Sequence, residues 1–193
     1  MFRNSKLLGG ILIAASIVGA IAIAQVPPAA TEGPAIAPVV LSKQHEALTK
    51  VKAGDEFPSL ELANLSGGSQ SLSELYGKNA TVVLFWQNNG WMTRAALRDL
   101  GLDISEPFGK QGAEVVTVAV NQPADAAQAT LDKSESKLTT LLDAEGKAFA
   151  QIGSEKLPRI FVLDNAGKIV WFDLEYSHST RRELKQAVQK LVE

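Results

Sequence analysis

Apolar residues run along this chain in two rhythms that alternate. Ala80–Trp86 (ATVVLFW) and Ala113–Val120 (AEVVTVAV) are nearly unbroken apolar runs rich in β-branched side chains. Such runs predict strands buried on both faces. Ser59–Ala63 alternates apolar with polar and Leu138–Leu142 is a weaker run, so each predicts a shorter strand. Ile160–Leu163 and Ile169–Phe172 are joined by Asp164-Asn165-Ala166-Gly167-Lys168, a glycine-containing link that predicts a β-hairpin. The second rhythm is helical. Met92, Ala96, Leu97, Leu100 and Ile104 recur at helical spacing within Trp91–Ile104, and Leu184, Val188, Leu191 and Val192 do so within Thr180–Val192. Pro123–Ser136 is alanine-rich and helix-like, Ala144–Ile152 predicts a short helix, and Ser42–Lys52 a short polar leading helix. Ser71, with Glu74 three residues on, reads as the capped start of a further short helix. The order βα, βα, βα, ββα predicts an α/β fold. Its expected form is a central, mostly parallel sheet with a C-terminal antiparallel hairpin and helices on both faces.

The first 41 residues follow neither rhythm. Arg3 and Lys6 precede Leu7–Ala24, which holds no charge and ends in Ala22-Ile23-Ala24. A basic start, an apolar run and a small-x-small ending predict a secretory signal peptide. At 1.5 Å per residue the run would span about 27 Å, so a single-pass anchor is the second reading. Both place the rest of the chain outside the cytoplasm, periplasmic or otherwise extracytoplasmic, because the basic end stays inside. Pro27, Pro28, Pro34 and Pro38 fall within residues 25–41, which predicts an extended Pro/Ala-rich linker. Residues 1–24 are thus the leader or anchor, 25–41 the linker and 42–193 one domain. Any membrane contact would run through the N-terminal segment alone.

Composition narrows the chemistry. The chain has no cysteine, which excludes thiolate nucleophiles, disulfides, thiolate metal sites and lipid attachment through sulfur. A formal net charge of -2 without a basic block gives no footprint for nucleic acid. The two histidines, His45 and His178, lie in different segments with no ligand-spaced partner, so neither a metal nor another cofactor is expected.

Four stretches carry a family resemblance. They are Gly54-Asp55-x-Phe57-Pro58 with Leu60-x-Leu62, Ser71-Leu72-Ser73-Glu74-Leu75-x-Gly77-Lys78, Val82-Val83-Leu84-Phe85-Trp86, and Leu157-Pro158 followed by Ile160–Val170. In this order and spacing, residues 51–193 resemble the thioredoxin-fold redoxins. That group takes in peroxiredoxins of the alkyl hydroperoxide reductase and thiol-specific antioxidant type, and membrane-tethered thiol–disulfide oxidoreductases. The resemblance implies a thioredoxin fold, a cis peptide at Pro158 and a loop there that pairs with a bound peptide backbone. It also implies a Cys-x-x-Cys at the start of the helix after the first core strand. Here those four positions are Gly90-Trp91-Met92-Thr93.

Without sulfur the family's exchange chemistry has no nucleophile, so no catalytic residue is expected and a non-catalytic protein- or peptide-binding role follows. The alternative is a thiol–disulfide oxidoreductase or peroxidase by family label. Binding candidates are Asn88, Asn89, Gly90, Trp91, Met92, Thr93 and Arg94 around the helix start, and Lys156, Pro158 and Arg159 around the proline loop. Their expected partner is an exported protein or peptide. Each has a plainer reading beside it: an asparagine as helix N-cap, Arg94 as a solvated residue, Trp91 and Met92 packed inward to plug the vacated site, and the proline loop as retained architecture.

Overall fold

The computed structural model describes residues 35–193 with the exception of Asn89. The expected leader or anchor of residues 1–24, the linker up to residue 34 and Asn89 lie outside the described residues. Seven strands form one sheet: β1 (Glu61–Asn64), β2 (Ser69–Ser71), β3 (Ala80–Trp86), β4 (Ala113–Val120), β5 (Thr139–Asp143), β6 (Arg159–Asp164) and β7 (Ile169–Asp173). Their spatial order is β2-β1-β5-β4-β3-β6-β7. The helices are α1 (Lys43–Glu46), α2 (Trp91–Leu100), α3 (Glu106–Phe108), α4 (Ala124–Lys133), α5 (Phe149–Ile152) and α6 (His178–Val192). Among the described residues no helix is long and apolar enough to cross a membrane.

The all-apolar runs behave as their composition demands. Every residue of β3 is buried, and β4 is buried except at Glu114. β3 and β4 pair in parallel, as do β4 and β5. Parallel pairing stops there. β1 joins β5 antiparallel, and β6 and β7 form the antiparallel hairpin on the other side of β3. The expected mostly parallel sheet is therefore a mixed one with a parallel centre. The reason is β2. Gly67-Gly68 turns the chain back on β1, and the polar Ser69-Gln70-Ser71 completes an antiparallel edge hairpin. A half-exposed polar edge strand leaves no hydrophobic signature. Ser71 consequently ends a strand, and the turn after it is a 3-10 helix at Leu72–Leu75 without a side-chain cap from Ser71.

One face of the sheet packs Val82, Leu84, Trp86, Ala119 and Ile160 against Ala96, Leu97 and Leu100 of α2, Ala127 and Leu131 of α4, and Leu184 and Val188 of α6. α2 runs on into a π-helical turn, Gly101–Ser105, whose Ile104 is fully buried. The opposite face packs Phe57, Phe85, Phe149, Phe161 and Phe172, with edge-on and tilted ring contacts at 5.3–6.3 Å between centroids of the first four. Helices cover both faces, α2, α4 and α6 on one and α5 on the other.

The leading segment is shorter as a helix than its composition predicts, and more firmly attached. Ser42 caps α1, which ends after Glu46. Of the expected linker, residues 35–41 lie on the domain. Ile36 and Val39 are partly buried against the core, Leu41 packs on the aromatic face, and Gln186 Nε2 of α6 donates to Ala35 O at 2.7 Å.

Candidate functional site

The site is assembled where β3 ends. Trp86 is fully buried and its Nε1 donates to Thr117 Oγ1 at 3.0 Å, which fixes the strand's last residue against β4. The chain then leaves the sheet. The Asn88 amide donates to Gln122 Oε1 at 3.2 Å, so the loop is held from the turn after β4. Gly90 is the residue before α2, at φ 135 and ψ -159, and has no side chain with which to cap the helix. The asparagine cap expected from composition is absent at Asn88. Gly90 stands in the cap position because its backbone occupies a region that L side chains rarely adopt. A cysteine at position 90 would therefore meet an unsuitable backbone.

α2 splits the Gly90–Thr93 candidates. Trp91 is 68% exposed, while Met92 is half-buried against the core and Thr93 is fully buried. The Thr93 hydroxyl donates to Gln87 O at 2.9 Å, so its proton is committed to closing the loop. Neither expected alternative for Trp91 and Met92 holds for both residues: the tryptophan faces solvent and the methionine packs. Arg94 is exposed one turn on from Trp91.

The Leu157–Pro158 peptide is cis, and Pro158 is buried at the start of β6. Lys156 stands beside it. Its Nζ lies 2.9 Å from Glu175 Oε1 and 2.8 Å from His45 Nε2, so α1 reaches this rim of the site. Arg159 does not reach it. Its side chain is fully buried on the aromatic face, 5.1 Å over the Phe149 ring, and donates to Leu48 O, Ile152 O and Ser154 O. Burial pushes its guanidinium pKa down to about 10. Strand alternation explains this placement: Ile160 takes the face covered by α2, α4 and α6, so Arg159 takes the other. Arg159, a binding candidate in the sequence, is thus an internal anchor instead.

Two cavities flank Trp91. One, of about 460 Å³, is lined by Met92, Lys156, Leu157, Pro158 and Leu174. The other, of about 450 Å³, is lined by Arg94, Ala95, Arg98, Asp99 and Arg181. Trp91, Tyr176, Ser177 and His178 line both, so the two join into one groove over the helix start. Its floor is tied by Asp99, which is 6% exposed. Asp99 accepts from the Tyr176 hydroxyl at 3.3 Å and pairs with Arg98 Nη2 at 3.0 Å and Arg181 Nη1 at 3.2 Å. Burial and the Asp99 charge hold the Tyr176 phenol above its usual range, and the hydrogen bond to Asp103 holds the Arg181 guanidinium charged. Sequence reasoning misses Asp99, Arg98, Arg181, Tyr176 and His178. Residues 91, 94, 95 and 98 share one face of α2 at i, i+3, i+4 and i+7, which is a signal the sequence does carry. The contribution from residues 176–181 is tertiary and leaves no local mark.

Chemically the groove offers an aromatic surface, apolar walls and fixed cations. The positions matching the family dithiol hold a hydrogen side chain and a buried hydroxyl already engaged.

Known proteins bear on this geometry. The sequence profile of the AhpC/TSA family matches residues 53–172. No curated protein sequence matches the chain. A solution structure assigned as a protein disulfide isomerase from Bacteroides thetaiotaomicron superposes with a TM-score of 0.69 at 17% identity, over 76% of this chain and 93% of that one. A crystal structure assigned as the thiol:disulfide interchange protein DsbE from Chlorobium tepidum gives 0.68 at 19% identity, over 75% of this chain and 100% of that one. A secreted Mycobacterium tuberculosis disulfide oxidoreductase, homologous to E. coli DsbE, gives 0.59 at 20% identity, over 69% and 96%. At these identities the likeness establishes the thioredoxin-like fold.

Proposed function

The chain belongs to the AhpC/TSA family, and from that membership, joined to the absence of cysteine, we propose that it is a non-catalytic binding domain working outside the cytoplasm. Its occupant is an extended segment of an exported protein, seated in the groove between Trp91 and Pro158. The observation that carries this reading is Trp91. An indole 68% exposed, standing between two adjoining cavities and next to Gly90, where the resemblance places the family's first cysteine, offers a partner a large aromatic surface. The apolar run of residues 7–24 and the secreted neighbour from Mycobacterium tuberculosis support the extracytoplasmic placement.

The test uses the full chain, its Trp91→Ala variant and its Pro158→Ala variant against a displayed library of extended peptides. Selective enrichment by the wild type that both variants lose supports the reading. Insulin reduction and peroxide consumption are measured on the same preparations, with no turnover expected. Turnover in thioredoxin-free protein, or enrichment indifferent to both substitutions, would sink it.

A further inference from the structure

The chain as a whole is acidic, with a formal net charge of -2, yet one half of the groove is not. Arg94, Arg98 and Arg181 enter a single cavity of about 450 Å³, and Asp99 is the one carboxylate that lines it with them. Arg94 and Arg98 are one helical turn apart on α2, and Arg181 faces them from the first turns of α6. Like charges so placed repel, so the arrangement calls for anionic company. Asp99 supplies part of it by pairing Arg98 and Arg181 from beneath. Asp103 takes the Arg181 Nε. Arg94 has no ion-pair partner among the described residues. Each paired guanidinium keeps further N–H donors, since Arg98 uses Nε and Nη2, and Arg181 uses Nε and Nη1. The carboxylates thus hold the forks in place from below and leave donors for a second anion above. The other half of the groove differs. Its walls are Met92, Leu157, Pro158 and Leu174, and its single lysine, Lys156, is already paired with Glu175.

We infer that the groove takes an acidic peptide segment, with an apolar side chain over Met92, Leu157 and Pro158 and a glutamate or aspartate carboxylate on Arg94, Arg98 and Arg181. This deepens the binding reading given above and rests on it. Guanidinium forks match carboxylates bidentately, and Trp91, between the two subsites, covers the peptide backbone that joins them. The same separation of apolar and basic halves fixes which side chain of the segment lies in which half.

The experiment titrates the full chain with three peptides of one length and one central apolar residue. They carry a Glu-Glu pair, a Gln-Gln pair or a Lys-Lys pair beside it. Trp91 is the reporter, because Trp86 and Trp171 are 0% and 1% exposed and Trp91 is 68% exposed. Glu-Glu should bind about tenfold or more tighter than Gln-Gln, and Lys-Lys weakest. The Glu-Glu advantage should shrink between about 0.05 and 0.3 M salt, as it must for partly exposed pairs. Arg94→Gln should remove most of that advantage, weakening Glu-Glu binding far more than Gln-Gln binding. Equal binding of Glu-Glu and Gln-Gln overturns the acidic preference and leaves the groove reading standing. Failure of all three to move the Trp91 signal overturns both. Glutarate tested alone should bind far more weakly than the Glu-Glu peptide; equal affinity would make the site one for small acids and overturn the peptide.

Discussion

Gly153 and Arg159 form a coupled pair that sets how the proline loop is held. A Cβ built on Gly153 would lie 1.7 Å from Arg159 Nη1 and 2.6 Å from Leu48 O. Gly153 has φ 171, ordinary extended backbone, so the cost of Gly153→Ala is steric. To relieve it the guanidinium must leave its three carbonyls, which strands a buried charge at about 3–5 kcal/mol. Arg159→Met is a different change. Leu48 O, Ile152 O and Ser154 O each keep a backbone donor, from Ser154, Lys50 and Lys156 respectively. No carbonyl is orphaned, and the depressed guanidinium pKa shows that burial already opposes the charge. The single change should therefore cost only about 1–2 kcal/mol. With the guanidinium gone, Gly153→Ala meets only the Leu48 carbonyl and should cost about 1–3 kcal/mol. Urea unfolding of wild type, both single variants and the double variant closes the cycle. A coupling of about 3–5 kcal/mol is expected, the stranded-charge cost that the double variant escapes, so that the double variant is more stable than the sum implies. Additivity within about 0.5 kcal/mol would refute the claim that Gly153 exists to admit Arg159.

Three further outcomes follow from the geometry. Trp91→Ala should change stability by less than about 0.5 kcal/mol in urea, since its side chain is largely in water, while abolishing groove binding. Gly90→Ala should cost about 1–3 kcal/mol because of φ 135, and a loss no larger than that of an ordinary exposed glycine would show that the loop rearranges freely. Burial raises the phenol pKa of Tyr76, and burial with the Asp99 charge raises that of Tyr176. The neutral phenols are thus favoured in the folded state, and their contribution is full below the unfolded value of about 10 and lost as pH rises above it. Ultraviolet titration should show both tyrosines with native midpoints above those they have in denaturant; native and denatured midpoints that coincide would contradict the packing.

The elements that bury one kind of side chain throughout are legible in the sequence itself. β3, β4, β6, β7 and α6 lie within a residue or two of their apolar patterns, as does α2 once the π-helical turn that continues it is included, because there packing and periodicity agree. β2 is not legible, since Ser69-Gln70-Ser71 is held by backbone pairing on an edge and presents nothing to a core. Residues 35–41 read as a proline-rich tether, yet Ile36, Val39 and Leu41 find apolar partners that only the folded domain provides. At the site, the replaced dithiol and the proline loop are readable from order and spacing. Arg159 is not, because a charged residue beside a loop proline reads as surface, and its burial depends on the space left by Gly153 six residues earlier. The basic half of the groove needs α2 and α6 side by side.

The central claim is that the face around Trp91 is occupied by a partner in the cell. Trp91 is replaced by the photocrosslinking residue benzoylphenylalanine in the full chain, and Leu102, 52% exposed on a different cavity, is replaced in the same way as the control. Irradiation of intact cells should give one discrete adduct from position 91, weakened when Arg94→Gln is added, and none from position 102. No adduct at position 91, or the same adducts from both positions, would contradict the account.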